Sequence, residues 1–299
     1  MTPQQLRALV AVADTGSVRG AAAELVVSQP AVSAALGALQ RDLGVALVER
    51  EGRGLRMSEP GTVLAGYARR LLALWEEARV ATVSSVDPAG GDLRLAAVTT
   101  AGEHVLPAAL ASFASRFPQV RILLEVGNRR RVWELLVAGG VDLAVGGRPP
   151  ADLGLASLGT APHELVLVAA PGGPREASLD EALRRSWLVR EEGSGTRATT
   201  DELLAGLDAD PVRLTLGSNG AIREAAVAGL GVALIHRAAV ERELAGGGLV
   251  EWRVGPLPLR RRWHLVGREG PGLPATADLF RRHLLETSPW EEPRGLEVG

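Results

Sequence analysis

The feature that most constrains this chain is a change of hydrophobic period near residue 92. Before it, apolar residues recur at helical spacing. After it, short apolar runs alternate with helical stretches. The first region is compact. Leu6, Leu9, Val10 and Ala13 predict a helix that Thr15-Gly16-Ser17 stops. Ser17 can cap a second helix through Ala21, Ala22 and Leu25, and Ser28 a third. Pro30 falls in the first turn of that third helix, where its missing N–H costs nothing. Val32, Leu36, Leu39 and Leu43 form its buried stripe, and Gly44 ends it. Three short helices with the joint Val26-Val27 read as a helix-turn-helix. Residues 47–57 read as a small β-wing turned at Gly52 or Gly54.

Ser58-Glu59-Pro60-Gly61 opens a long helix of about 27 residues, or ~40 Å. Leu64, Tyr67, Leu71, Trp75, Ala78 and Thr82 follow a 3,4 spacing along it, which Leu72 and Val83 widen. A small neighbouring domain cannot cover so long a stripe, so pairing with a second copy is expected. Asp87-Pro88-Ala89-Gly90-Gly91 then reads as a linker.

From Asp92 the expected strands are 93–98, 120–126, 141–145, 165–170, 187–190, 212–216, 232–235, 249–254 and 263–266. Helices are expected between most of them and near 275–285, with 287–299 a frayed tail. This is α/β architecture, expected to be mostly parallel, and about 200 residues suit two linked lobes.

Composition narrows the chemistry by exclusion. The 299 residues contain no Cys, and all 33 basic side chains are Arg. Disulfides, thiolate metal sites and thiol nucleophiles are therefore excluded, as are a P-loop lysine and a Schiff-base lysine. His163-Glu164 begins like a zincin helix, but Leu167 stands where the second ligand belongs. There is no G-x-S-x-G elbow. The five histidines are scattered, and no metal site or cofactor is expected. No run approaches the ~20 apolar residues of a membrane span, and the N-terminus lacks the apolar core of a signal peptide. A cytoplasmic chain without membrane partners is the expectation.

The start of the third helix carries the first binding motif. Gln29 can bond an adenine edge and Ser33 a phosphate or base, while Pro30 offers apolar contact to a thymine methyl. Ser28 heads a helix N-terminus, which favours phosphate. Arg50, Arg53 and Arg56 recur on the wing. Residues 1–60 balance six Arg against six acids, so recognition must rest on a few placed groups and not on bulk charge.

The second motif set belongs to a small ligand. Thr99, Thr100 and Ala101 follow one expected strand, Ser194, Gly195, Thr196 and Arg197 another, and Ser218 and Asn219 a third. Hydroxyls, free N–H groups and an Arg at helix N-termini make anion sites, and α/β ligands sit at the carboxyl ends of strands. Every cationic contact must come from Arg or from a protonated His. The runs 129–131 and 260–262 read as solvated faces or subunit contacts. Gly229-Leu230-Gly231 lacks dinucleotide-binding spacing and reads as a tight helix-to-strand turn.

These stretches together resemble the LysR-type transcriptional regulators. The resemblance is carried by Ala21-Ala22 with Leu25, Val27-Ser28-Gln29-Pro30-Ala31-Val32-Ser33, Leu43-Gly44, Leu47-Val48-Glu49-Arg50, Arg53 and Met57-Ser58-Glu59-Pro60-Gly61. It implies a winged helix-turn-helix over 1–58, a dimerisation helix over 59–88, and over 89–299 a two-lobed effector domain like a type 2 periplasmic binding protein. Lobe I would span about 91–160 and 267–290, and lobe II about 161–266. It further implies a homodimer or homotetramer that binds a dyad-symmetric promoter site in double-stranded DNA, with RNA polymerase among the partners such a regulator can have. The family's pocket uses the positions of Thr99, Thr100, Thr196 and the residues around Ser218. Glu191–Arg197 also resembles the branch governing carbon-fixation operons, which points to a phosphorylated sugar or acid. The sequence departs from the family at Ala34, Ala35, Gly37 and Ala38, where relatives often carry basic residues, at Gln40 in place of Glu, and at Val48 in place of Phe. Two rival readings are a two-lobed solute-binding protein, which would lack the helix-turn-helix, and an enzyme on the same scaffold, which would need an acid/base cluster.

Overall fold

The computed structural model describes residues 1–51, 54–84, 89–172, 178–270 and 272–293. They form two compact units, the first built on Met1–Val83 and the second on the chain beyond it.

The first unit runs α1 (Pro3–Thr15), α2 (Val18–Leu25), α3 (Gln29–Leu43), a hairpin of β1 (Val48–Glu51) and β2 (Gly54–Met57), and α4 (Glu59–Ser84). The helices begin and end on the expected chemistry. Thr2 and Gln5 close a capping box on α1, Ser17 accepts from the Gly20 N–H, and Ser28 accepts from the Ala31 N–H. Gly16 and Gly44 end α1 and α3 in the left-handed conformation. Leu6, Leu9, Val12, Ala21, Ala22, Val32, Leu36 and Leu39 make one buried core.

Helix α4 divides its apolar residues between two faces. Ala65 and Ala68 are buried, and Leu64 and Leu72 pack partly buried on the same helical core. Tyr67, Leu71, Leu74 and Trp75 are exposed, Tyr67 at 58% and Trp75 at 59%. The expected pairing stripe is therefore narrower than its spacing implied: Leu64 and Leu72 serve the unit's own core, and Tyr67, Leu71 and Trp75 remain outward. The helix is tied to the wing at its first turn. Ser58 Oγ accepts from the Gly61 N–H and donates to the Ala46 carbonyl, and the Ser58 N–H donates to the Leu47 carbonyl. A Cβ on Gly61 would stand 1.9 Å from that Leu47 oxygen.

The second unit continues with β3 (Asp92–Val98), α5 (Thr99–His104), α6 (Leu106–Arg116), β4 (Arg121–Gly127), α7 (Arg129–Val137) and β5 (Leu143–Gly146). Next come β6 (Leu155–Ala169), α8 (Leu179–Arg184), β7 (Trp187–Val189), α9 (Gly195–Gly206), β8 (Arg213–Thr215) and α10 (Asn219–Val227). The chain closes with β9 (Ala233–His236), a 3-10 turn Arg237–Ala239, α11 (Glu241–Ala245), β10 (Val250–Trp252), β11 (Leu259–Arg268) and α12 (Ala275–Thr287).

The sheet order is β10-β6-β11-β5-β3-β4, with β9 also on β6, and β7 pairs β8. The expectation of a mostly parallel sheet is corrected here. β3 lies parallel to β4 and β5, but β11 runs antiparallel to β5 and, along its whole length, to β6. β6 and β11 are the two strands that pass between lobes. Ala161, Trp263 and Leu265 join the lobe I core with Leu93, Phe113 and Phe280. Leu165 and Leu167 join a lobe II core with Trp187 and Trp252, while the intervening Val166 and Val168 face a second one with Ile222 and Ile235. Burial on both faces explains why this stretch reads as a continuous apolar run and not as an alternating one.

A second correction concerns the expected frayed tail. Trp290 is buried in the lobe I core. Glu291 and Thr160 exchange two backbone hydrogen bonds of 2.8 Å. The tail is thus anchored at Trp290 and Glu291, and 294–299 lie outside the described residues.

Candidate DNA interface and interlobe cleft

In the first unit, α3 turns Val32, Leu36 and Leu39 inward and leaves Ser28, Gln29, Pro30 and Ser33 exposed on its first turns. The N-terminal end of α3 is thus open to solvent. On the wing, register separates the arginines. Arg50 opposes Leu55, on the face that also carries Val48 and Met57, whereas Arg56 opposes Glu49 and bonds it at 2.6 Å. Both are exposed. Arg53 lies outside the described residues. Gln40 has a local use, since its Oε1 accepts from the Leu47 N–H at 2.8 Å and fixes the start of the wing.

In the second unit a cleft of about 1180 Å³ lies between the lobes. Thr99, Thr100, Ser194, Gly195 and Thr196 line it. The other expected ligand residues are elsewhere. Ala101 is fully buried in the lobe I core. Arg197 bonds Asp201 and the Arg190 carbonyl within lobe II. Ser218 caps α10 by accepting from the Ala221 N–H. Asn219 is 3% exposed and stands behind the lining, where it donates to Thr100 Oγ1 at 2.9 Å.

The cleft is basic. Among the described residues six arginines line it (129, 148, 190, 260, 261, 262) against three glutamates (202, 269, 291). Five of the six arginines in the two runs are exposed, as expected of solvated faces, and Arg129, Arg260, Arg261 and Arg262 also line the cleft. Arg261 bonds Thr199 and Glu202, and Arg262 bonds Glu291. Among the cleft residues not anticipated from the sequence is Arg190, one position past β7 and only 4% exposed. Its Nε and Nη2 donate to both oxygens of Glu191, at 2.7 and 2.8 Å, and its Nη1 donates to Asn219 Oδ1 at 2.7 Å. A guanidinium has five N–H groups. Three are used here, and among the described residues no protein acceptor takes the other two. Burial pushes the Glu191 carboxyl up, but hydrogen bonds from Arg190 and the backbone, with the attraction of Arg190, hold it below the usual range. The one available signal for Arg190 is its place directly after a short apolar strand.

The lining histidines are not cations. His163 stacks on Trp263 with ring centroids 3.9 Å apart. Burial, then His236 and Arg261, pushes it down to about 3. His264, bonded to Ser157 Oγ, is pushed down to about 4 by burial, then by Arg148 and Arg262. At neutral pH every positive side chain in the cleft is an arginine. The N-terminus of α9 adds to this field, because its N-cap Ser194 makes no side-chain capping bond. Among the described residues no group of three His, Asp or Glu is placed to hold a metal ion. No single helix among them is long and apolar enough to cross a membrane.

A winged helix-turn-helix followed by a two-lobed α/β unit with a basic cleft defines a class of DNA-binding, ligand-binding proteins. Residues 3–62 match the family described as "Bacterial regulatory helix-turn-helix protein, lysR family", and residues 87–289 match "LysR substrate binding domain". The chain belongs to the LysR family of transcriptional regulators. It is 33% identical over 291 residues to the HTH-type transcriptional regulator CfxR of Cupriavidus necator, covering 96% of this chain and 92% of that protein. A full-length OxyR variant from Pseudomonas aeruginosa superposes with a TM-score of 0.72 at 19% identity, covering 98% of this chain and 99% of that one, which is a likeness of fold. The regulatory domain of Synechocystis CcmR, solved in complex with 2-PG, superposes with a TM-score of 0.62 at 28% identity, covering 66% of this chain and 97% of that one.

Proposed function

We propose that the protein is an anion-responsive regulator, and not an enzyme, in which residues 1–58 bind promoter DNA, residues 59–88 pair subunits, and residues 89–299 sense a small phosphorylated or carboxylic metabolite between the lobes. The observation that carries the reading is Arg190, a buried guanidinium at the cleft with two N–H groups unspent. A buried charge is costly unless it is partnered, and an anionic ligand supplies the remaining partners. Thr99, Thr100, Thr196 and the free N–H groups at the start of α9 complete the anion's surroundings. The complex of the CcmR domain with 2-PG supports an anion in a cleft of this kind, and 2-PG is the first probe to try.

On the DNA side, Ser28, Gln29, Pro30 and Ser33 meet base edges and phosphate, and Arg50, Arg53 and Arg56 meet backbone phosphate on either side of the wing. Tyr67, Leu71 and Trp75 pair α4 with a second copy, giving a dimer, or a tetramer of two dimers, that reads a dyad-related site in the cytoplasm. Calorimetric titration of 2-PG and a panel of phosphorylated and carboxylic acids tests the cleft. Binding that Arg190→Gln and Thr196→Val abolish supports the reading, and equal binding by the variants refutes it. Gln29→Ala should weaken binding to the cognate DNA while sparing non-specific binding. Equal loss on both removes Gln29 from base reading.

A further inference from the structure

Two buried side chains, one from each lobe, meet behind the lining of the cleft. Thr100 sits in the first turn of α5 in lobe I at 6% exposure, and Asn219 opens α10 in lobe II at 3%. Asn219 spends both ends of its amide. Its Nδ2 donates across the lobes to Thr100 Oγ1 at 2.9 Å, and its Oδ1 accepts from Arg190 Nη1 at 2.7 Å. Arg190 is in turn held by both oxygens of Glu191. The result is one polar chain, Glu191–Arg190–Asn219–Thr100, crossing between the lobes away from the crossover strands. Hydrogen bonds shielded from water strengthen one another, and a broken link leaves a buried donor or acceptor unpaired.

A glycine contact supports the same junction. Gly193 is in the left-handed region (φ +84), and a Cβ there would lie 3.4 Å from Asn128 Nδ2 of lobe I. The backbone that follows Arg190 thus also approaches lobe I closely.

We infer that Asn219 is a positioning residue that latches the two lobes. It touches no ligand, but it fixes the cleft's buried cation and the lobe I helix end in one mutual arrangement before any ligand arrives. This rests on the cleft being the ligand site. The latch then raises affinity by preorganisation, because the two groups that would hold an anion from opposite lobes are ordered in advance. The motif pattern alone assigns Asn219 to ligand contact, and the geometry gives it this different role.

The test needs no ligand, so its failure is separable from failure of the anion reading. The chain has no Cys. Ser115→Cys on α6 of lobe I and Ala205→Cys on α9 of lobe II, both exposed, accept spin labels without background. Pulsed electron–electron resonance on the full chain reads the interlobe distance. With labelled chains diluted in an excess of unlabelled chain, so that intersubunit pairs are rare, the expected result is a single narrow distribution in the labelled parent. Asn219→Ala and Thr100→Val should each add a longer-distance population, and the double variant should add little beyond either one. Asn219→Asp should restore the narrow distribution, because its carboxylate accepts from the Thr100 hydroxyl and still partners Arg190. Distributions in Asn219→Ala and Thr100→Val that match the parent overturn the latch. If Asn219→Ala does not fold, Thr100→Val alone decides in the same way.

Discussion

Gly61→Ala gives a prediction whose sign separates tertiary packing from helix propensity. Gly61 lies in the first turn of α4, where Ala is ordinarily better than Gly by about 0.5–1 kcal/mol. Here the added Cβ would stand 1.9 Å from the Leu47 carbonyl oxygen and 2.8 Å from its carbon. Real contacts of this kind need about 3.0 Å or more, so the helix start and the wing must part by roughly 1 Å. The obstacle is backbone and cannot rotate away. The separation also stretches the bond from the Ser58 N–H to that same oxygen, now 3.1 Å. Overpacking costs about 1–3 kcal/mol and the lost bond about 1. Subtracting the propensity gain leaves a net loss of roughly 1–3 kcal/mol. For a unit of this size that lowers the melting midpoint by roughly 5–20 °C. Calorimetry of the full chain, with hydrogen exchange assigning the transition to α1–α3, reads the change. Gly66→Ala on the same helix is the internal control. Nothing lies within 4 Å of its added Cβ, so it should stabilise by up to about 1 kcal/mol. If Gly61→Ala raises the midpoint as Gly66→Ala does, the packing argument is wrong.

Val26, at φ 56 and 89% exposed, holds a left-handed conformation unfavourable to a β-branched residue. Val26→Gly should therefore stabilise the first unit by about 1 kcal/mol in urea unfolding, and no gain would contradict the strain. Trp290→Ala should destabilise the second unit by about 3–5 kcal/mol, whereas a truly frayed tail would lose nothing. The buried neutral histidines set an acid limit. His163 is held at about 3, and His236 and His264 at about 4, each pushed down chiefly by burial, so each binds a proton less readily folded than unfolded. Their contribution is complete above about pH 6.5 and is lost as pH falls toward 4. Urea midpoints between pH 7.5 and 4.5 should decline accordingly, and His264→Asn should flatten the decline.

Legibility in the sequence follows the range of the forces involved. Helix ends set by neighbours, such as the Ser17 and Ser28 caps and the Gly16 and Gly44 terminations, are readable because cap and capped group lie within a few residues. The first half of β6 is not. Gly159, Pro162 and His163 break its apolar pattern, and only pairing with β11, about a hundred residues away, makes it a strand. Trp290 likewise reads as tail, because its partners Leu265 and Phe280 come from other elements of lobe I. In the cleft, Thr99, Thr100 and Thr196 are legible as hydroxyls at strand-to-helix joints. Arg190 is not, since burial of a lone arginine is a tertiary property. Asn219 stands out by residue type, but only the fold assigns its two partners. The wing arginines recur every three residues, and strand alternation sends Arg50 and Arg56 to opposite faces.

If an anion in the cleft acts on DNA binding through Arg190, the coupling can be read directly. The measurement is the affinity and footprint of the full chain on the DNA upstream of its own gene, as 2-PG is raised at fixed salt, for the parent and for Arg190→Gln. The expected outcome is a specific, salt-sensitive complex whose affinity or protected interval changes with 2-PG in the parent and stays constant in Arg190→Gln. A parent with no specific complex, a parent that 2-PG leaves unchanged, or an Arg190→Gln variant that responds as the parent does would refute the coupling.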